Sequence, residues 1–264
     1  MRKIVLITGC SSGFGMISAA RLSSLGYTVY ASMRDLSKNN DLKIELDRRD
    51  TNCHMIELDV RDDTSIQKTI NTITDNEGKL DILINNAGYG IATPFHVTSI
   101  EDEENFIRVL GTSVITLTKL FVKDMIKQKS GKIMIVSSVA AFAPPSAIQV
   151  LYGPIKTFMN RFSDAMNSSY NRLGITSTAL CPGFTLTNFH TASNVQEMMN
   201  AVPSFMKFSA ERIAKEGVEA MFKGKSLCVP TKTYRFLVFL LRVTPNSFIR
   251  LLENVLAPGR YEQK

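Results

Sequence analysis

The chain has 264 residues, 44% of them hydrophobic and 21% charged, with a net charge of +7. A chain of this length buries a full core without metal or disulfide staples, and its composition is that of a soluble globular protein. The excess charge is concentrated, since residues 223–264 hold eight basic side chains against two acidic ones; a basic segment can meet phosphates or lipid, but it is read here as a solvated face, with no nucleic-acid partner.

The N-terminus, MRKIVLITG, runs from two basic residues through a short apolar stretch into glycine. A signal peptide needs a longer apolar region and a small-residue cleavage site, so residues 3–7 are read as a first buried strand. Further strands are expected at 28–32, 53–58, 81–85, 132–137, 175–180 and 226–230. Several are nearly continuous Val, Ile and Leu, as in a parallel sheet covered on both faces. Helical spacing fills 13–25, 62–77, 99–128, 152–173 and 210–222. This alternation predicts a doubly wound parallel sheet with right-handed crossovers, a three-layer α/β/α fold, in one domain over 1–264.

Two loops are long, 86–98 and 181–209, and loops of such length are usually functional. The stretch 184–208 is rich in Phe and Met, including Phe184, Phe189, Met198 and Met206. It reads as a substrate loop around an apolar pocket, or alternatively as a lid packed on the core. Residues 231–264 form a basic amphipathic extension. Within it, 234–252 suggests two short helices interrupted by Arg242 and Pro245. Packing on the core or on another subunit of a homodimer or homotetramer is preferred to an anionic lipid surface. No apolar run approaches the length of a membrane span. Cys10, Cys53, Cys181 and Cys228 are far apart with no CxxC pair, which points to reduced thiols and a cytoplasmic setting. His54, His96 and His190 are scattered, and no metal site is expected.

The turn after the first strand reads Thr8-Gly9-Cys10-Ser11-Ser12-Gly13-Phe14-Gly15 and leads into a helix. Glycines there allow a tight turn and a close approach of phosphates, which the helix N-terminus then holds. The second strand ends in Ser32-Met33-Arg34. An acid at that edge would bind a ribose 2′-hydroxyl, whereas an Arg accommodates a 2′-phosphate; NADP(H) is therefore favoured over NAD(H). Tyr152 and Lys156 lie four apart and share one helix face. A nearby ammonium would lower a phenol pKa from about 10 toward the working range. Pro154 between them is tolerable in a first helical turn. Ser137 and Ser138 end the fifth strand at the sheet edge where ligands bind.

Taken in order, TGxxxGxG, Asp59-Val60, Asn85-Asn86-Ala87-Gly88, the Ser137-Ser138 pair, Tyr152-x-x-x-Lys156 and Pro182-Gly183 through Thr187 resemble the short-chain dehydrogenase/reductase family, with its Rossmann-like fold. The likeness covers residues 4 to about 230. It implies an oxidoreductase moving a hydride between a nicotinamide and a carbonyl or secondary alcohol, here on a small hydrophobic substrate. Ser138 would orient the carbonyl, Tyr152 would handle the proton, and Lys156 would tune Tyr152 and bind the nicotinamide ribose. Gly9, Ser11, Ser12, Gly13, Phe14 and Gly15 would cradle the pyrophosphate, with Arg34 on the 2′-phosphate. Asp59, Val60, Asn86, Ala87 and Gly88 would line the adenosine side, and Pro182, Gly183, Thr185 and Thr187 the nicotinamide end. Met33 stands where NAD-preferring members carry Asp. One departure is Leu110, fifteen residues before Met125, where the family usually has an Asn that supports a proton-relaying water. Leu cannot hydrogen-bond; Thr112 or Ser113 would have to substitute. The rival reading is a catalytically weakened dinucleotide-binding regulator or scaffold.

Overall fold

Buried Val, Ile and Leu runs set the architecture. In the computed structural model, residues 2–91, 93–143, 150–186 and 202–245 are described. The main sheet contains β1 (Ile4–Ile7), β2 (Thr28–Met33), β3 (His54–Glu57), β4 (Ile82–Asn85), β5 (Gly131–Val136), β6 (Ile175–Leu180) and β9 (Leu227–Cys228). All its pairings are parallel, in the order β3-β2-β1-β4-β5-β6-β9. A separate two-stranded pair joins β7 (Thr185–Leu186) to β8 (Phe208–Ser209). The central strands β1 and β4 are buried along their whole length, which explains why they lack an alternating polar pattern.

Helices cover both faces: α1 (Gly13–Ser24), α2 (Asn40–Arg48), α3 (Asp63–Glu77), α4 (Ile100–Ile107), α5 (Ser113–Gln128), α6 (Tyr152–Tyr170), α7 (Ala210–Phe222) and α8 (Lys232–Val243). Two core layers result. One packs Leu6, Leu83, Phe106, Leu117 and Met125 on one sheet face; the other packs Val5, Ile7, Leu22, Met134 and Val218 on the opposite face.

The expected strands and helices are present, but the short β7–β8 pair lies where a loop was expected, and there are three further differences. Helix α2 was not anticipated, because only Leu42 and Leu46 mark its buried face. The single helix expected over 99–128 contains a π turn at Arg108–Thr112. Ile100–Gln128 is also long and apolar enough to cross a bilayer by length and composition, contrary to expectation; its apolar side chains Phe106, Leu117, Phe121 and Met125 are instead buried in the core. Of the two tail helices, α8 is seen, and the second lies outside the described residues.

Candidate active site

The chain order reverses at β1, whose neighbours are β2 and β4. In open α/β sheets that switch point, at the C-terminal strand ends, is where ligands sit. The candidate residues gather along this edge.

Backbone conformation dictates the glycine turn. Gly9 and Gly13 have φ of +72° and +60°, a region that side chains with a Cβ rarely adopt. A Cβ on Gly9 would lie 2.9 Å from the Ala87 Cα, and one on Gly15 would lie 2.5 Å from Asn86 Nδ2. Hydrogen bonds lock the turn to the segment after β4. The N–H groups of Asn86 and Ala87 donate to Thr8 Oγ1 at 2.9 Å each. Asn86 Nδ2 donates back to the carbonyls of Thr8 at 2.8 Å and Gly9 at 2.9 Å. The structure thus uses the Asn86 amide as a brace for the turn. At the start of α1, Ser12 makes no side-chain cap and the first turn carries no acid. The first N–H groups and the positive dipole end are left for an anion. With the turn kept clear of side chains, these residues fit a dinucleotide pyrophosphate.

At the end of β2, Met33 is buried and Arg34 is exposed. Arg34 makes no ion pair among the described residues, and its positive field reaches Asp59 and Tyr89. Asp59 is engaged by a residue that sequence reasoning missed: Arg61 donates to its carboxylate from Nε at 3.1 Å and from a terminal nitrogen at 2.7 Å. This guanidinium holds the Asp59 carboxyl below its ordinary range. Val60 turns into the core, only 7% exposed. A Cβ on Gly88 would make ordinary contact with the Leu110 side chain.

The strand ends β5 and β6 meet the start of α6. Tyr152 is the first residue of α6, Pro154 lies in its first turn and Lys156 one turn on. Ser138 caps the short turn Val139–Ala141, its Oγ accepting from the Ala140 N–H at 3.1 Å, and its side chain hydrogen-bonds with the Tyr152 phenol. Ser137 Oγ donates to the Lys156 carbonyl at 3.1 Å, and the Val139 N–H donates to the Pro182 carbonyl at 2.9 Å. Ser138, Tyr152, Lys156 and Pro182 are therefore brought to one place.

Electrostatics here differ from the expectation. Burial pushes the Tyr152 phenol up to about 12, with the Ser138 hydrogen bond opposing. Burial likewise pushes the Lys156 ammonium down to about 8. Lys156 Nζ lies 5.5 Å from the Tyr152 ring centre and donates to the Val136 carbonyl at 2.8 Å. The expected lowering of the phenol by the ammonium does not arise: desolvation raises it, and what lowers it is the Ser138 hydrogen bond.

Leu110 falls inside the π turn and is buried. Ser113 Oγ donates to the Val109 carbonyl at 2.8 Å, so this hydroxyl serves the helix backbone. A narrow cleft beside Tyr152 is walled by Ile91, Phe95, Phe106, Val150 and Leu151 together with Thr93 and Glu103.

On the far side, Gly183 lies against the Tyr234 ring of α8, where an added Cβ would overlap. The Tyr234 hydroxyl accepts from the Phe184 N–H and donates to the Met206 carbonyl, each at 2.9 Å. Thr185 Oγ1 donates to the Gly183 carbonyl at 2.9 Å. Tyr234 was missed because nothing local links a tail aromatic to a glycine fifty-one positions earlier. Of the proposed substrate loop, Phe184, Met206 and Phe208 pack around Tyr234, and Phe205 is exposed. Thr187, Phe189, Met198 and Met199 lie outside the described residues. Gly183→Ala should cost ~1–3 kcal/mol by overpacking. In thermal melts that loss should shrink when Tyr234→Ala removes the ring, giving clear non-additivity; additive losses would mean that the two do not press on each other.

A family model described as short chain dehydrogenase matches residues 3–198. Serine 3-dehydrogenase from Agrobacterium fabrum (strain C58) is 30% identical over 218 residues, covering 81% of this chain and 86% of that protein. An NADP-dependent 3-hydroxy acid dehydrogenase from Escherichia coli (strain K12) is 30% identical over 181 residues, covering 68% of this chain and 71% of its own. Among solved structures, a short-chain dehydrogenase from Sphingobium yanoikuyae in complex with NADPH superimposes with a TM-score of 0.77 at 20% identity, covering 99% of this chain and 98% of that one. That last likeness concerns the fold.

Proposed function

The chain belongs to the short-chain dehydrogenase/reductase family of oxidoreductases acting on hydroxyl and keto groups, and from that premise we propose that it is an NADP(H)-dependent reductase of hydrophobic carbonyl compounds. The observation that carries this reading is the convergence of Ser138, Tyr152 and Lys156 at the ends of β5 and α6. A bound nicotinamide would supply the hydride. The chain's own residues do the rest: Ser138 donates to the carbonyl oxygen, and Tyr152 delivers the proton as charge develops there. The Phe- and Met-rich composition of 184–208 supports a hydrophobic substrate. The four cysteines are free, which supports a reducing, cytoplasmic setting. One domain over the whole chain, with 184–208 on the substrate side, is part of the same reading. The weakened-scaffold alternative is not favoured, because Ser138, Tyr152 and Lys156 lie together although Leu110 cannot carry the relay.

The test is oxidation of NADPH against ketones and aldehydes of rising apolarity. Turnover should rise with apolarity; no turnover on any carbonyl or alcohol would sink the reading. The cofactor preference has its own check. Arg34→Ala removes a charge-assisted partner of a 2′-phosphate and should weaken NADPH binding by about tenfold to a hundredfold. NADH binding, measured by the same fluorescence titration, should barely change. Equal affinities for the two cofactors in the parent protein would remove Arg34 from the assignment.

A further inference from the structure

Helix α8 is apolar on two sides. Tyr234 and Val238 face inward and are 1% and 4% exposed. Opposite them, Phe236, Phe239 and Val243 are 64%, 58% and 59% exposed. Their spacing places them on one stripe, with Leu240 at its margin. A globular protein normally turns polar residues outward on such a helix, and a clustered exposed apolar stripe marks an interaction site.

The charges on α8 itself have one sign, and those flanking the stripe are mostly basic. Lys232, Arg235 and Arg242 are the charged residues of α8, and the helix has no acid. An adjoining groove of about 570 Å³ holds Lys223 and Lys225 beside two acids, Glu216 and Glu219, and both acids are already paired with arginines, Glu219 with Arg21 and Glu216 with Arg212 and Arg235. Arg235 is paired with Glu216 at 2.9 Å, but Lys223, Lys225, Lys232 and Arg242 make no ion pair among the described residues. The Arg242 guanidinium itself stacks over the Phe142 ring at 4.8 Å, while the residue remains exposed. Residues 223–264 carry six of the chain's seven net positive charges.

We propose that α8 is a docking surface for an anionic phospholipid bilayer. Phe236, Phe239 and Val243 enter the headgroup boundary, and Lys223, Lys225, Lys232 and Arg242 meet the phosphates. A bilayer offers an apolar layer bordered by negative charge, which matches the stripe and its flank. A second copy matches poorly. A two-fold contact through α8 sets the same basic row against itself, and like charges facing across an interface oppose association. The docked helix is also the one whose Tyr234 fixes Phe184 and Met206, so the substrate side of the fold is tied to the membrane-facing element. Hydride transfer and lipid docking are separate claims, and the experiment reads only the second.

The full chain is sedimented with vesicles of phosphatidylcholine, and with vesicles containing added phosphatidylglycerol, at low and high salt. Binding is expected to the anionic vesicles, falling about tenfold or more at high salt as the charges are screened. Phe236→Ser with Phe239→Ser should lower it about tenfold or more, and Lys232→Gln with Arg242→Gln should do the same at low salt. Because Phe236, Phe239, Lys232 and Arg242 are exposed, these variants should fold with the parent's NADPH affinity, and only the loss of the Arg242–Phe142 contact should shift the charge variant's melting curve slightly. Three results overturn the proposal: no binding to anionic vesicles at low salt; binding that the Phe pair leaves unchanged, which is charge adsorption alone; or a lipid-free dimer that the Phe pair dissociates without any vesicle binding.

Discussion

Replacing Tyr152 by Phe should lower the turnover of carbonyl reduction by about 10²–10⁴-fold, the range for losing a positioned acid. That is roughly 3–5 kcal/mol of transition-state stabilisation. Phe keeps the ring, so the packing against Phe106, whose centre is 6.5 Å away, survives. What is lost is the one phenolic proton, which sits beside the Ser138 hydroxyl. NADPH affinity should stay within about threefold of the parent, because the deleted group acts mainly as charge develops on the substrate oxygen. Stopped-flow or steady-state NADPH oxidation gives the turnover and fluorescence titration the affinity. Unchanged turnover in the Phe variant would remove Tyr152 from the chemistry. A matching collapse in cofactor affinity would make its role one of binding.

Much of the fold was legible because parallel strands buried on both faces write themselves as uninterrupted apolar runs. Strand β6 was read to its first and last residues, and β1 within one. Helix α2 escaped because nine residues with two buried leucines produce little periodic signal. The π turn escaped for a different reason. Its sequence, RVLGT, contains nothing that distinguishes five residues of π from α geometry. The glycine turn was legible as a tight turn before α1 because positive φ leaves a mark in composition. That Asn86 braces the turn was not, since its partners lie seventy-seven and seventy-eight positions away. Arg61 was closer to legible, because an Asp-x-Arg turn at a strand end brings the fork within reach of the carboxylate. The sign of the Tyr152 shift was missed for a physical reason: spacing reveals the neighbouring ammonium, but desolvation depends on the whole surrounding structure.

Lys156→Met should abolish useful turnover and yet yield a more stable protein. The side chain is 6% exposed, and burial pushes its ammonium from the ordinary 10.5 down to about 8. That depression corresponds to about 3 kcal/mol of penalty on the folded state near neutrality. The hydrogen bond to the Val136 carbonyl returns about 1 kcal/mol. Met has similar length and no charge, so the variant should gain ~2 kcal/mol, or several degrees in melting temperature. The pH dependence fixes the sign. The folded pKa lies below the unfolded one, so between about 8 and 10.5 the unfolded chain binds more protons and stability of the parent rises with pH. Below about 8 both states are charged and the penalty is present in full. The advantage of Lys156→Met should therefore be greatest at pH 7 and shrink as pH climbs through that window. Turnover of the parent should fall over the same range, from about 8 upward, as the ammonium that organises the Tyr152 end of the site loses its proton. Calorimetric melts of both proteins at neutral and alkaline pH, beside the pH profile of kcat/KM, read all three effects. A Met variant that melts below the parent at pH 7 would mean that the buried ammonium holds the site together instead of straining it.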